Sequence, residues 1–136
     1  MGNTSVKRLG DAELEIMQII WDSCCGQSTA VTAGYILEQL QSRRKWALST
    51  LMTALNRLID KGFLSCDKSN RNNLYFPVIS REQYQASENR SFLEKLYGSS
   101  FQKLVASFYD SRIINNCDIQ ELRSFLDELE QKEKRQ

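Results

Sequence analysis

The sequence predicts a mainly α-helical chain with a small β-hairpin, divided into an N-terminal module of residues 1–79 and a C-terminal helical module of residues 80–136. Three observations carry this expectation. Apolar residues recur with a helical period through most of the chain. Two β-rich runs, "FLSCDK" and "NLYFPVI", flank the turn-forming stretch "SNRNN". After Pro77 the pattern changes, and a long polar helix signal leads into two short amphipathic ones.

The first helix opens after Gly10 or Asp11. Acidic Asp11, Glu13 and Glu15 suit the positive end of a helix dipole, while Leu14, Met17 and Trp21, widened by Ile16 and Ile20, form an apolar stripe. A loop with Cys24, Cys25 and Gly26 follows. Thr32 is placed to cap a second helix by accepting a bond from a first-turn amide, and Ile36, Leu37 and Leu40 supply its buried side. The third helix is "STLMTALNRLIDKGFL", where Leu51, Leu55, Leu58 and Ile59 share one face. Gly62 suits the left-handed conformation that ends helices. The β-rich runs then make a hairpin whose polar tip carries Arg71.

Ser80 with Gln83 reads as a capping box opening a fourth helix, which runs to Tyr97 and stops at Gly98. Its middle, "QASENRS", is too polar to be buried, so this helix is expected to bridge the modules. A fifth helix places Phe101, Leu104, Val105 and Phe108 on one face. A sixth opens at Asp118 with Glu121 three residues on, and carries Ile119, Leu122, Phe125, Leu126 and Leu129. Two short helices cannot enclose a sizeable core alone. Together with Leu93 and Leu96, their apolar faces are expected to pack against the same segment of a second chain, giving a homodimer. Folding back onto the first module is the alternative.

Composition narrows the function. With 136 residues, 41% hydrophobic and 26% charged, the chain has the make-up of a soluble globular protein. No apolar run approaches the roughly 18 residues of a membrane span, and no charged-then-apolar leader opens the chain. A cytoplasmic protein without direct membrane binding is therefore expected. Histidine is absent, which removes Ser-His and Cys-His pairs and imidazole metal ligands. No constellation of nucleophile, base and stabiliser is visible, so no enzyme, catalytic residue or cofactor is expected. Cys24, Cys25, Cys66 and Cys117 include no C-x-x-C pair, and no metal site is expected. Reduced thiols are the plain expectation, and a thiol or soft-metal sensor at Cys24 and Cys25 is the alternative.

Net charge is only +1, but its distribution is uneven. Between residues 43 and 71, Arg43, Arg44, Lys45, Arg57, Lys61, Lys68 and Arg71 face only Asp60 and Asp67, a local excess of five positive charges. A solvated basic face would account for this; a phosphate-facing surface would as well. Three helices followed by a basic-tipped hairpin is the order of a winged helix-turn-helix, whose third helix enters the major groove of double-stranded DNA. At about 100° per residue, Thr50, Thr53 and Arg57 fall together opposite Leu51, Leu55 and Leu58. Ser49 and Asn56 flank them. Hydroxyls bond phosphates or base edges, and an arginine fork pairs with guanine. Two threonines also cost helix propensity on a face where Glu and Lys would do better.

The stretches "AELEIMQIIW", "ALSTLMTALNRLIDKGFL", "LYFPVIS" and "SFLEKLYG" resemble the penicillinase-repressor family, which includes the β-lactamase, methicillin-resistance and copper-responsive repressors. The resemblance runs from about Leu9 to Leu129. It implies a dimeric winged-helix transcription repressor that binds an inverted-repeat operator. The tryptophan ahead of the recognition helix is Trp46, the two threonines are Thr50 and Thr53, and the arginine is Arg57. The family's usual Ser-Pro-Lys after the tryptophan is replaced by Ala47, Leu48 and Ser49; Arg43, Arg44 and Lys45 are candidates to restore the lost phosphate contact. In β-lactam-responsive members, a sensor-dependent protease cuts an Asn-Phe bond whose counterpart here is Ser107-Phe108. The copper-responsive members carry a C-terminal cysteine cluster, and this chain ends "ELEQKEKRQ" without one. A winged-helix adaptor that binds protein instead of DNA is the alternative from another class.

Overall fold

Helix α1 (Asp11–Ser23) starts where the Gly10 N–H donates to Glu13 Oε1 at 2.9 Å, so a carboxylate satisfies one of the amides that a helix end leaves free. The computed structural model describes residues 6–24, 30–69 and 71–134. The elements that follow are β1 (Val31–Thr32), α2 (Ala33–Leu40), α3 (Leu48–Asp60), β2 (Leu64–Asp67), β3 (Leu74–Pro77), α4 (Arg81–Tyr97), α5 (Phe101–Asp110) and α6 (Asn116–Lys134). Thr32 caps α2, its Oγ1 accepting from the Tyr35 amide at 3.2 Å. The fold is mainly α with a winged helix-turn-helix at its N-terminal end.

The expected hairpin forms, β2 pairing antiparallel with β3 from Leu64 opposite Pro77 to Asp67 opposite Leu74, and β1 joins it to give a three-stranded wing sheet in the order β1-β3-β2. β1 pairs Val31 with Tyr75 and Thr32 with Leu74. A two-residue strand leaves no alternation to find in the sequence, and only its pairing with β3 defines it. α3 begins at Leu48, with Ala47 at the N-cap and no side-chain cap bond, so Ser49 lies inside the helix. Its C-terminus closes as expected. Gly62 takes φ +85°, its amide donates to the Ile59 carbonyl, and the Phe63 amide donates to the Leu58 carbonyl. This is the Schellman arrangement, and it turns Phe63 and Leu58 into the same core.

The chain groups into two compact units, Met1–Glu88 and Asn89–Gln136. Every buried hydrophobic side chain among the described residues lies between Leu9 and Tyr84, in the first unit. α1 contributes Ile16, Met17, Ile20 and Trp21; α2 contributes Ile36 and Leu40; α3 contributes Leu51, Ala54, Leu55 and Leu58. Each fully buried aliphatic contributes roughly 1.5–3 kcal/mol. The first unit extends beyond residue 79 because Tyr84 of α4 is buried against Trp21 and Phe63, and its hydroxyl accepts from the Leu9 amide at 3.1 Å. Trp21 Nε1 also donates to the Ile79 carbonyl at 3.0 Å.

In the second unit, α4 ends at Gly98 with φ +57°. α5 is capped by Ser100, whose Oγ accepts from the Lys103 amide at 3.2 Å. α6 starts two residues earlier than Asp118: Asn115 and Asp118 exchange reciprocal bonds, each 2.9 Å, that place Asp118 at the third helical position instead of the cap.

Candidate nucleic-acid interface

The burial of α3 splits cleanly. Leu51, Ala54, Leu55 and Leu58 are buried, whereas Leu48, Ser49, Thr50, Thr53, Asn56 and Arg57 are exposed. Thr50, Thr53 and Arg57 line one open groove together with Trp46 and Glu13. Ser49 and Asn56 are exposed beside that groove and do not line it. Thr53 Oγ1 donates to the Ser49 carbonyl at 3.1 Å, so its proton is engaged within the helix. What Thr53 offers outward is a methyl group and acceptor lone pairs. Arg57 forms none of the salt bridges found among the described residues, which leaves its guanidinium fork available.

Glu13 is a member of this groove that the sequence did not single out. Its Oε1 accepts from Lys61 Nζ at 2.6 Å as well as from the Gly10 amide. Burial pushes the carboxyl upward, but the bonds from Lys61 and Gly10 and the charges of Lys61 and Arg57 outweigh that and hold its pKa below the ordinary glutamate value. Both ends of the segment from Arg44 to Lys61 are tied to α1. At the other end Arg44 Nε donates to Glu15 Oε2 at 2.6 Å, and the Arg44 guanidinium lies 5.9 Å from the centre of the Trp46 ring.

The three basic loop residues therefore do different things. Arg44 is held by Glu15. Arg43 is exposed and lines a separate groove with Glu15, Asp22 and Arg81. Lys45 is exposed. The wing turn is shaped by Asp67, whose Oδ1 accepts from Ser69 N at 2.9 Å and Ser69 Oγ at 2.6 Å; these bonds hold its carboxyl below the usual range. Arg71 is exposed and lines a cleft with Leu48, Met52 and Tyr75. The structure thus brings Arg71 to the first turn of α3.

The second unit contains no buried residue in α5 or α6. Leu96, Phe101, Phe125, Leu126 and Leu129 are each at least 45% exposed, and Leu93, Leu104, Val105, Phe108 and Leu122 are half-buried. Ser107 and Phe108 sit inside the helical span of α5, and the Tyr97 hydroxyl lies 3.3 Å from Ser107 Oγ.

The family model described as Penicillinase repressor matches residues 9–128. The chain belongs to the penicillinase repressor family. A methicillin resistance regulatory protein MecI of Mammaliicoccus sciuri is 30% identical over 118 residues, covering 87% of this chain and 92% of that protein. A penicillinase repressor of Staphylococcus aureus is 30% identical over 132 residues, covering 97% of this chain and all of the relative. The solved DNA-binding domain of the repressor BlaI is 32% identical, with a TM-score of 0.49 over 58% of this chain and 90% of that one.

Within this penicillinase repressor family member, Cys24 is half-buried, and burial pushes its thiol pKa up, away from the reactive thiolate. Cys25 lies outside the described residues. Among the described residues no group of His, Cys, Asp and Glu is placed to hold a metal ion, and no helix is long and apolar enough to cross a membrane.

Proposed function

We propose that this chain is a sequence-specific transcriptional repressor that binds an inverted-repeat operator in double-stranded DNA as a homodimer. The observation that carries this is the groove on α3, where Thr50, Thr53 and Arg57 converge beside Trp46 on a helix whose other side buries Leu51, Ala54, Leu55 and Leu58. Membership of the penicillinase repressor family supports it. The first unit takes the DNA-binding role. α3 enters the major groove, Ser49 and Asn56 flank the reading face, and Arg43, Lys45 and Arg71 meet phosphates. Arg44 acts through Trp46. The second unit takes the dimerising role, since its exposed apolar faces need a partner surface.

Induction is assigned to scission between Ser107 and Phe108 by a sensor-dependent protease. Cutting α5 there separates Phe101 and Leu104 from Phe108 on the apolar face. Because the bond is helical, the helix must open locally before it is cut. The departure from asparagine at Ser107 sets this chain's own requirement on that protease.

The test is titration of purified protein against operator DNA recovered from bound genomic fragments. Arg57→Ala should cost about 1–3 kcal/mol and relax the preference at one base pair per half-site. Arg71→Ala should weaken all duplexes alike and flatten the slope of log affinity against log salt by about one. Absence of salt-sensitive binding to any duplex would instead make the winged helix a protein-binding adaptor.

A further inference from the structure

Leu48 occupies the first position of α3 and is 51% exposed. Isolated exposed leucines are ordinary on protein surfaces, so exposure alone assigns it nothing. Its surroundings are more specific. Leu48 lines a cleft with Met52, four residues on and therefore on the same side of the helix, with Tyr75 of β3 and with Arg71 of the wing. The Tyr75 hydroxyl lies 3.8 Å from Met52 Sδ, which ties that side chain to the sheet and makes it a fixed apolar floor. An aliphatic side chain thus stands on the first turn of α3, above an apolar floor and beside an exposed cation.

In helix-turn-helix docking, the first turn of the recognition helix meets base edges. Nearly every group exposed on the major-groove edge of a base pair is a hydrogen-bond donor or acceptor, and covering one with a leucine leaves it desolvated without a partner. The C5 position of the pyrimidines is the exception, and there only thymine presents a methyl group, cytosine carrying a hydrogen. We propose that Leu48 is a specificity-determining residue that reads a thymine 5-methyl in each half-site, with Arg71 holding the adjacent backbone. This rests on the DNA-binding function proposed above. It adds a base identity, thymine, and a residue outside the set formed by Thr50, Thr53 and Arg57.

Deoxyuridine differs from thymidine only by the missing methyl, so it isolates the contact. The full-length protein is titrated against its selected operator and against duplexes carrying deoxyuridine in place of each thymidine in turn. One thymidine per half-site should be sensitive, with a loss of about fourfold, the value of one buried methyl-sized group. Leu48→Ala should bind the parent operator more weakly and lose that sensitivity; Leu48→Met, which keeps an apolar tip, should retain it. Because the side chain is half in solvent and outside the core, both variants should melt with the parent protein. A scan with no sensitive thymidine overturns the assignment, and so does a sensitivity that persists in Leu48→Ala, which would give the methyl to Thr50 or Thr53. In either case binding to the parent operator still stands, so the repressor function survives. Failure of the parent protein to bind any duplex removes both.

Discussion

Tyr84 gives the most direct check on where the first unit ends. It lies only 7% exposed, edge-on to Phe63 at 5.6 Å between ring centres and tilted against Trp21 at 6.0 Å. Its hydroxyl takes the Leu9 amide. Tyr84→Phe keeps the ring and orphans that amide, which costs about 1–3 kcal/mol for an unsatisfied buried donor. Tyr84→Ala also removes the ring, and truncating a buried aromatic costs about 3–5 kcal/mol. A domain of this size has only about 5–15 kcal/mol of stability in total, and each kcal/mol moves its melting temperature by about 4–8 °C. The assay is thermal unfolding of residues 1–88 followed by circular dichroism. The phenylalanine variant should melt about 4–24 °C lower, and the alanine variant about 12–40 °C lower. A fragment of residues 1–79, lacking Tyr84 altogether, should behave like the alanine variant. If that fragment melts with the longer one, α4 is no part of the first unit and the packing argument is wrong.

Two further outcomes bear on the other unit and on pH. Leu126→Lys, at a position 45% exposed on α6, should leave the helical content intact and shift the chain from dimer to monomer in sedimentation, weakening binding to a full operator far more than to a half-site. Glu13 has a lowered pKa because the bonds from Lys61 and Gly10 and the nearby charges outweigh the burial that would raise it. The contribution of a depressed carboxyl is complete above its unfolded value of about 4.3 and disappears as pH falls through the lower folded value. Glu13→Gln should therefore reduce stability at neutral pH and flatten its decline in acid, as read from urea midpoints across pH.

The helices of the first unit were legible because burial imposes a period. Leu51, Leu55 and Leu58 repeat at the spacing of a helix face, and Gly62 marks its end with a residue chosen for positive φ. β1 was not legible, since two residues carry no period and Val31 and Thr32 become a strand only through Tyr75 and Leu74. The start of α6 was misplaced for a related reason. Asn115 and Asp118 both suit a cap, and the reciprocal bonding that decides between them is a property of geometry. In the candidate interface, Thr50, Thr53 and Arg57 followed from angular arithmetic along one helix. Glu13, Leu48 and the division of labour among Arg43, Arg44 and Lys45 did not, because each depends on which distant element the side chain meets.

That last point changes what the basic segment means. Of the seven cations between residues 43 and 71, Arg44 and Lys61 are bound to Glu15 and Glu13, while Arg43, Lys45, Arg57, Lys68 and Arg71 are exposed and form none of the salt bridges among the described residues. Glu13 in the first turn of α1, where it suits the helix dipole, and Glu15 in the next turn anchor the two ends of the segment from Arg44 to Lys61. Glu15→Gln separates charge from position. It removes a negative charge and frees Arg44, so electrostatics alone would strengthen binding to every duplex and steepen the salt dependence. If the clamp positions Trp46 beside Thr50, Thr53 and Arg57, the same change lets the ring move and weakens operator binding specifically. The expected result is a smaller ratio of operator to random-sequence affinity, with random-sequence binding unchanged or tighter. Equal strengthening on both duplexes would show that Arg44 is a phosphate contact waiting to be released, with no part in holding the groove.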